Sequence, residues 1–260
     1  MHVSFLQVIL IAIWAGIAGV DHFDGLTHIH RPLVTGLVIG LILGDVKQGI
    51  IIGAALELVW MGLVPLAGAQ PPNIVMGGVI GVSAGLILDL KPEQAIAVAF
   101  PFAVAVELLV SGVYFTVNSL FMPKVDKMCE NADYKGVERL NYLTMLFLFV
   151  LFFVVAFIPV YLGADKGAEL LAKIPSWFME GLQVGGGMCI AVGIAVLLKI
   201  MLKKEYIVFF ILGYVLVSYA HFDIVPVTLS ALIVALYDYY KGGSSSSETV
   251  AVKEEFEDGI

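Results

Sequence analysis

The chain has 260 residues, of which 60% are hydrophobic and only 14% charged, with a net charge of −8 and a mean hydropathy of +0.98. A soluble domain carries about a quarter charged residues, so a water-soluble globule is excluded and a polytopic membrane protein is left. Much of the acidic excess stands in the last residues, where Glu254, Glu255, Glu257 and Asp258 follow the final apolar run, so it solubilises a tail and identifies no ligand.

The N-terminal MHVSFLQ has no basic stretch, and no small-residue cleavage site follows its apolar run; Val3 to Val20 is expected to stay as a membrane segment. Then comes Asp21-His22-Phe23-Asp24-Gly25-Leu26-Thr27-His28-Ile29-His30-Arg31-Pro32, polar and wedged between apolar runs. Three readings of it are open: a solvated loop with internal ion pairing, the lining of a polar substrate site, or a metal site of His22, His28 and His30. Leu33 to Leu43 is apolar, Gly44-Asp45-Val46-Lys47-Gln48-Gly49 is not, and Ile50 to Leu66 is apolar again except for Glu57. At the bilayer centre Asp45 and Lys47 would each cost about 2.5–3.5 kcal/mol, so their turn belongs at a membrane face, inside protein or beside water. Pro71 and Pro72 bring no amide hydrogen to a helix, so Gly68 to Asn73 predicts a break. Broken helices at depth are how transporters turn backbone dipoles toward a solute.

An apolar region from Gln94 to Met122, bordered by Pro92 and Pro101, carries one carboxylate, Glu107. Glu107 and Asp45 are assigned to structure, because no convergent partner is evident for either. A polar stretch follows, Pro123 to Arg139, with Lys124, Lys127, Lys135 and Arg139. Lys199, Lys203 and Lys204 form a second basic cluster, and Lys241 closes the last apolar run. The excess of lysine and arginine places all three on the cytoplasmic side, with an even number of crossings between them. Leu140 to Ala164 and Gly181 to Leu198 are long enough to cross. Tyr206 to Ala220 and Ile224 to Tyr237 are short and meet at a polar turn, which fits either two tilted spans or a re-entrant hairpin. Between Ala164 and Gly181 a short amphipathic segment on the opposite face is expected. Cys129 and Cys189 are too few and too far apart for a metal motif or a disulfide framework.

Glu57 has no basic residue within a helical turn in sequence. It reads as a cavity-facing functional group, or as an ion-paired or protonated carboxylate joining two helices. Gln70 and Asn73 flank the diproline, where an amide serves equally to cap a broken helix or to hold a ligand. Trp60 offers a flat face for packing or for ligand stacking. Carboxylates, amides and an aromatic ring together suit a hydroxyl-rich solute, since each hydroxyl left unpaired in a pocket costs about 1–3 kcal/mol. There is no nucleotide-binding glycine loop, no basic cleft for nucleic acid and no zinc-protease helix, and Ser83, Ser111 and Ser218 lack a basic partner for hydrolysis.

His30-Arg31-Pro32, Gly44-Asp45-Val46-Lys47-Gln48-Gly49-Ile50-Ile51-Ile52-Gly53, Leu56-Glu57-Leu58, Pro71-Pro72-Asn73, Arg139-Leu140-Asn141 and Gly185-Gly186-Gly187-Met188 resemble the IIC subunit of the mannose/fructose/sorbose family of bacterial phosphotransferase systems, from Leu6 to about Tyr240. Gln70-Pro71-Pro72-Asn73, Phe121-Met122 before Lys124-x-Asp126-Lys127, and the acidic end Asp258-Gly259-Ile260 look most like its N-acetylgalactosamine/galactosamine branch; mannose-type members more often have aspartate where Asn73 stands. The resemblance implies an all-α polytopic protein of transmembrane helices, broken helices and re-entrant hairpins, an elevator-type transporter in the bacterial inner membrane with a cytoplasmic C-terminus. It implies work with a membrane partner, IID, and with phosphocarriers IIA and IIB, in a hetero-oligomer of several IIC–IID copies. The chain would import a sugar that is phosphorylated on arrival. It would not be an enzyme on its own and would need no cofactor, metal or nucleic acid. A mannose-, fructose- or sorbose-specific IIC, or a scaffold subunit that binds no sugar, is the alternative.

Carried onto this sequence, the resemblance implies Asp24, Glu57, Gln70 and Asn73 as partners of sugar hydroxyls, with Asp21 beside them. His30 and Arg31 anchor a helix start. The expected organisation is an N-terminal membrane half with broken helices over 1–122, a cytoplasmic polar linker over 123–141, a C-terminal membrane half over 142–241 and a disordered cytoplasmic tail over 242–260.

Overall fold

A computed structural model describes residues 3–63, 71–172, 175–203 and 206–242, and every regular element among them is helical. Gln70 and the tail beyond residue 242 lie outside the described residues. The chain divides into a first unit, Met1–Ile200, and a second, Met201–Ile260.

In the first unit α1 (Phe5–Val20) opens with a capping box, the Ser4 side chain taking the Leu6 amide while the Ser4 N–H donates to Gln7 Oε1 at 2.8 Å. It runs into one π-helical turn, Asp21–Gly25, that ends at Leu26 with a positive φ of 50°. α2 (Pro32–Leu43) begins with a proline at the first helical position, where no hydrogen bond is lost. It stops at Gly44, whose φ of 89° costs a residue without a Cβ nothing. Asp45 then caps α3 (Val46–Trp60) by accepting from the Gln48 amide at 3.0 Å. The polar turn expected to need water or protein is thus a C-cap and an N-cap back to back.

α2 and α3 lie antiparallel and touch backbone to backbone. A Cβ on Gly36 would run into the carbonyl of Gly49, and one on Gly49 into the carbonyl of Gly36. Small residues of this kind let membrane helices approach closely where no hydrophobic force drives them together. Gly36→Val is expected to push the pair apart and destabilise the chain by about 3 kcal/mol, seen as a lower melting temperature of detergent-purified protein; an unchanged melting point would show that the hairpin packs otherwise.

α4 (Ile74–Ile87) is the centre of this unit. It packs against α1, α2, α3, α5 and α6, and every residue in it except Ala84 is buried, as befits a helix that is apolar all round. α5 (Pro92–Glu130) and α6 (Tyr134–Ala172) are 39 residues each, about 58 Å, and pack along each other. Their outer ends carry the polar stretch Pro123–Arg139 as continuous helix broken only at Asn131–Asp133, with Pro101 and Pro123 inside α5. α6 runs on to Ala172, through much of the segment expected to be separate and amphipathic. α7 (Ser176–Met201) closes the unit.

Helices Phe5–Gly25, Pro92–Glu130, Tyr134–Gly163 and Val184–Met201 are long and apolar enough to cross a membrane. α2, α3 and α4, of 12, 15 and 14 residues, measure about 18–22 Å, short of a hydrocarbon core of roughly 30 Å. In the second unit α8 (Ile207–Ser218) and α9 (Ile224–Gly242) form a hairpin around Tyr219–Asp223, with a groove of about 630 Å³ between them lined by Phe209, Leu216, Val227 and Val234.

Candidate functional site

The hairpin geometry dictates the first feature. Arg31 and Glu57 are equidistant in sequence from Gly44, so folding α2 back on α3 brings them to the same level. The Arg31 Nε donates to Glu57 Oε1 at 2.6 Å and its Nη2 donates to the same oxygen. The other oxygen, Oε2, accepts the amide of Leu33 at 3.3 Å, in the first turn of α2. Glu57 therefore neutralises a guanidinium and caps the positive end of a helix. The pair is not sealed: the Arg31 and Glu57 side chains are 30% and 21% exposed. Among the described residues, three guanidinium hydrogens and one lone pair on Oε2 carry no further hydrogen bond.

The second feature is the break between α3 and α4. Asn73 is the N-cap of α4: its Oδ1 accepts from the Met76 amide at 2.9 Å, its Nδ2 donates to Glu107 Oε2 at 2.9 Å, and its own amide donates to the Ala103 carbonyl at 3.1 Å. It is 1% exposed. The remaining Glu107 oxygen accepts from Ser111 Oγ at 2.7 Å. Trp60 Nε1 donates to the Pro72 carbonyl at 2.8 Å, and the ring is buried against Gly77 and Phe100. Trp60 is thus a packed aromatic that pins the diproline, and its face is not open for stacking.

The two features meet on α4, where Gly77 lies against Trp60 and Gly78 against Pro32. The amino ends of α2 and α4 and the carboxyl end of α3 therefore converge, with one carboxylate, one guanidinium and one amide among them.

The third feature is the polar segment before α2. Asp21 is buried and fully used: Oδ1 accepts from the Thr27 amide at 2.8 Å and the Thr27 hydroxyl at 2.5 Å, while Oδ2 faces the His30 amide at 3.2 Å and His30 Nδ1 at 2.6 Å. His30 is buried beside His22 and His28, with ring centroids 4.8 and 5.6 Å away. Among the described residues there is no group of three side chains that could hold a metal ion; the His22 ring meets His30 edge-on and the His28 ring meets it tilted, and of the three only His30 contacts the Asp21 carboxylate. Asp24, on the same π-helical turn, is exposed and has no hydrogen bond or ion pair among the described residues. Asp21→Asn takes away the charge that four hydrogen-bonding groups are aimed at and is expected to cost about 1–3 kcal/mol of stability. Thermal melting of purified protein measures it, and no loss would show that the 21–31 segment is held by its packing alone.

Glu57, Asn73 and Asp21 thus come to the mouth of the α2–α3–α4 convergence or to the segment that leads into it, and Asp24 stands free beside them. Sequence reasoning missed the partners. Glu57 looks unpaired if one searches only a helical turn on either side, whereas a hairpin centred on Gly44 pairs it with Arg31. Glu107 belongs to the break through Asn73, which a sequence-local search cannot see.

The family model described as PTS system sorbose-specific IIC component matches residues 5–237. The chain is 32% identical to the N-acetylgalactosamine permease IIC component 1 of Escherichia coli (strain K12), over 99% of this chain and 98% of that one. It is 31% identical to the PTS system sorbose-specific EIIC component of Klebsiella pneumoniae, over 91% of this chain and 89% of that one. Among solved structures, it superposes with a TM-score of 0.58 and 26% identity on a chain of the complex of the mannose transporter ManYZ with microcin E492, covering 92% or more of both chains: 93% of this one and 97% of that one.

Proposed function

The chain belongs to the sorbose-specific IIC component family of phosphotransferase systems, transport subunits and not catalysts in themselves, and from that premise we propose that it binds and translocates an amino sugar, N-acetylgalactosamine or galactosamine. One observation carries this reading: Arg31 and Glu57 form a half-exposed donor and acceptor pair at the point where interrupted helices meet. Adjacent sugar hydroxyls need one group that donates and one that accepts. A guanidinium beside a carboxylate supplies both, and the amino ends of α2 and α4 add positive dipole to the same place.

In this reading Glu57 and Asp24 contact hydroxyls directly, and Gln70 does so from the segment just ahead of the diproline. Asn73 offers its second Nδ2 hydrogen while it holds the start of α4. Asp21 keeps the 21–31 segment folded so that Asp24 faces the sugar. The short helices α2, α3 and α4 move together as the sugar-carrying body against longer helices, in the manner of an elevator. The resemblance to the N-acetylgalactosamine permease component supports the amino sugar; the sorbose relative and the mannose transporter structure favour a hexose as the second reading.

The partners that complete the reading are a IID membrane subunit, in a complex of several copies, and the IIA and IIB phosphocarriers, with the C-terminus on the cytoplasmic side of the bacterial inner membrane. Membranes containing this chain and its partners are expected to phosphorylate N-acetylgalactosamine from phosphoenolpyruvate, and to lose that activity when this chain alone is left out. Phosphorylation of mannose, fructose or sorbose in its place selects the second reading, and phosphorylation of no sugar rejects both.

A further inference from the structure

α5 crosses the membrane with one polar stripe that the site described so far uses only at its beginning. Glu107, Ser111, Tyr114 and Asn118 recur at the i, i+4, i+7, i+11 spacing that places side chains on one face of a helix. All four are half-buried, whereas the large apolar residues on the other faces, Leu108, Leu109, Val113, Phe115 and Leu120, are exposed by 38–75%; Thr116 and Ser119 are exposed too, the Ser119 hydroxyl donating to the Thr116 carbonyl of its own helix. The stripe therefore faces the protein, and the exposed faces meet lipid. That is the reverse of what lipid solvation alone would produce in a helix left unpacked, and polar groups at membrane depth that face inward mark solute pathways.

Two members of the stripe touch both parts of the candidate site. Glu107 takes the Asn73 amide at the helix break. Seven residues on, the Tyr114 ring packs on Phe23 at 5.3 Å, on the π-helical turn that carries Asp24. Glu107 has no cationic partner among the described residues. Asn118 Oδ1 is buried without a hydrogen-bond partner there, and an acceptor so placed costs about 1–3 kcal/mol unless something donates to it.

We propose that this inward face of α5 is a second sugar-contacting wall: a ladder of hydrogen-bonding groups from Glu107 to Asn118 along which a hydroxyl-rich solute and its water pass. The proposal rests on the reading of the chain as a sugar-translocating subunit. It adds a second set of hydrogen-bonding groups to the Arg31–Glu57 pair and gives Asn118 the donor it lacks.

Single cysteines test it in the assembled permease, with Cys129→Ser and Cys189→Ala removing the native thiols. Ser111→Cys, Tyr114→Cys and Asn118→Cys sample the stripe; Leu109→Cys, Val113→Cys and Leu120→Cys sample the lipid side. A charged, water-soluble methanethiosulfonate reacts with thiolate, which forms only where water reaches. The stripe cysteines are expected to react at least about tenfold faster than the lipid-side ones, and to be slowed by whichever of N-acetylgalactosamine, galactosamine, mannose, fructose and sorbose the vesicles phosphorylate. Stripe cysteines as inert as their lipid-side neighbours, or labelled at a rate that the phosphorylated sugar leaves unchanged, overturn the wall and leave the parent reading standing. Vesicles of the unsubstituted permease that phosphorylate none of the five sugars sink the parent reading, and the wall with it.

Discussion

Glu57→Gln is expected to lower sugar-dependent phosphorylation roughly 10- to 100-fold in membranes that hold a normal amount of the chain. The reason lies in what the carboxylate does in place. Oε1 takes both Arg31 donors and Oε2 takes the Leu33 amide, so one acceptor position is left over on a side chain that is 21% exposed, and in the proposed site it serves a hydroxyl. A hydrogen bond to a charged acceptor contributes about 1.5–3 kcal/mol, which at 1.4 kcal/mol per factor of ten gives the stated loss. Glutamine keeps the size but turns an NH2 group toward either Arg31 or Leu33.

A purely structural role would produce a loss as well, so the decisive companion is the double variant Arg31→Met/Glu57→Met. Removing both partners of an ion pair is far less damaging to a fold than removing one. If Glu57 serves the sugar, the double variant recovers folded protein, measured by its melting temperature, and still fails to phosphorylate. Recovery of transport in the double variant would make Glu57 a strut between α2 and α3 and nothing more.

The second large effect concerns the break. Asn73→Asp preserves the cap on α4, because an aspartate also accepts from the Met76 amide, yet it replaces the donor to Glu107 with a second carboxylate about 3 Å away. With no cation beside them among the described residues, the two acids repel, and Pro71–Asn73 loses its side-chain tie to α5, keeping only the Asn73 amide on the Ala103 carbonyl. Transport is expected to fall at least about tenfold. Adding Glu107→Gln restores a donor and an acceptor in the opposite sense, so the double variant should regain most of the melting temperature lost by Asn73→Asp, while transport, which also uses the Asn73 Nδ2 hydrogen, recovers only in part. That non-additivity is the signature of two side chains in contact; equal losses for the single and double variants would mean that Asn73 and Glu107 act separately.

The sequence carried the membrane character and the break at Pro71-Pro72, because each follows from local chemistry: apolar run length and a missing amide hydrogen. The polar turn Gly44–Gly49 reads in sequence only as needing a membrane face, protein or water, and the structure resolves it as two caps back to back. What was not legible was pairing across elements. Arg31 and Glu57 meet only once α2 folds back on α3, and Asn73 reaches Glu107 only because α4 and α5 pack side by side. The polar stretch around Pro123 reads as a linker because its charges end the apolar run, yet lysine and glutamate are good helix formers, and α5 runs through Pro123 to Glu130. Asp21 shows the limit from the other side. Its chemistry suits a ligand, but Thr27 and His30 occupy both of its oxygens.

A density map of the assembled permease loaded with the sugar it phosphorylates decides where that sugar sits. It is expected within about 3.2 Å of Glu57, between the Pro71–Asn73 break and the turn that carries Asp24. A sugar seated entirely on the other membrane subunit, with Arg31–Glu57 and Asn73–Glu107 dry and undisturbed, would contradict it.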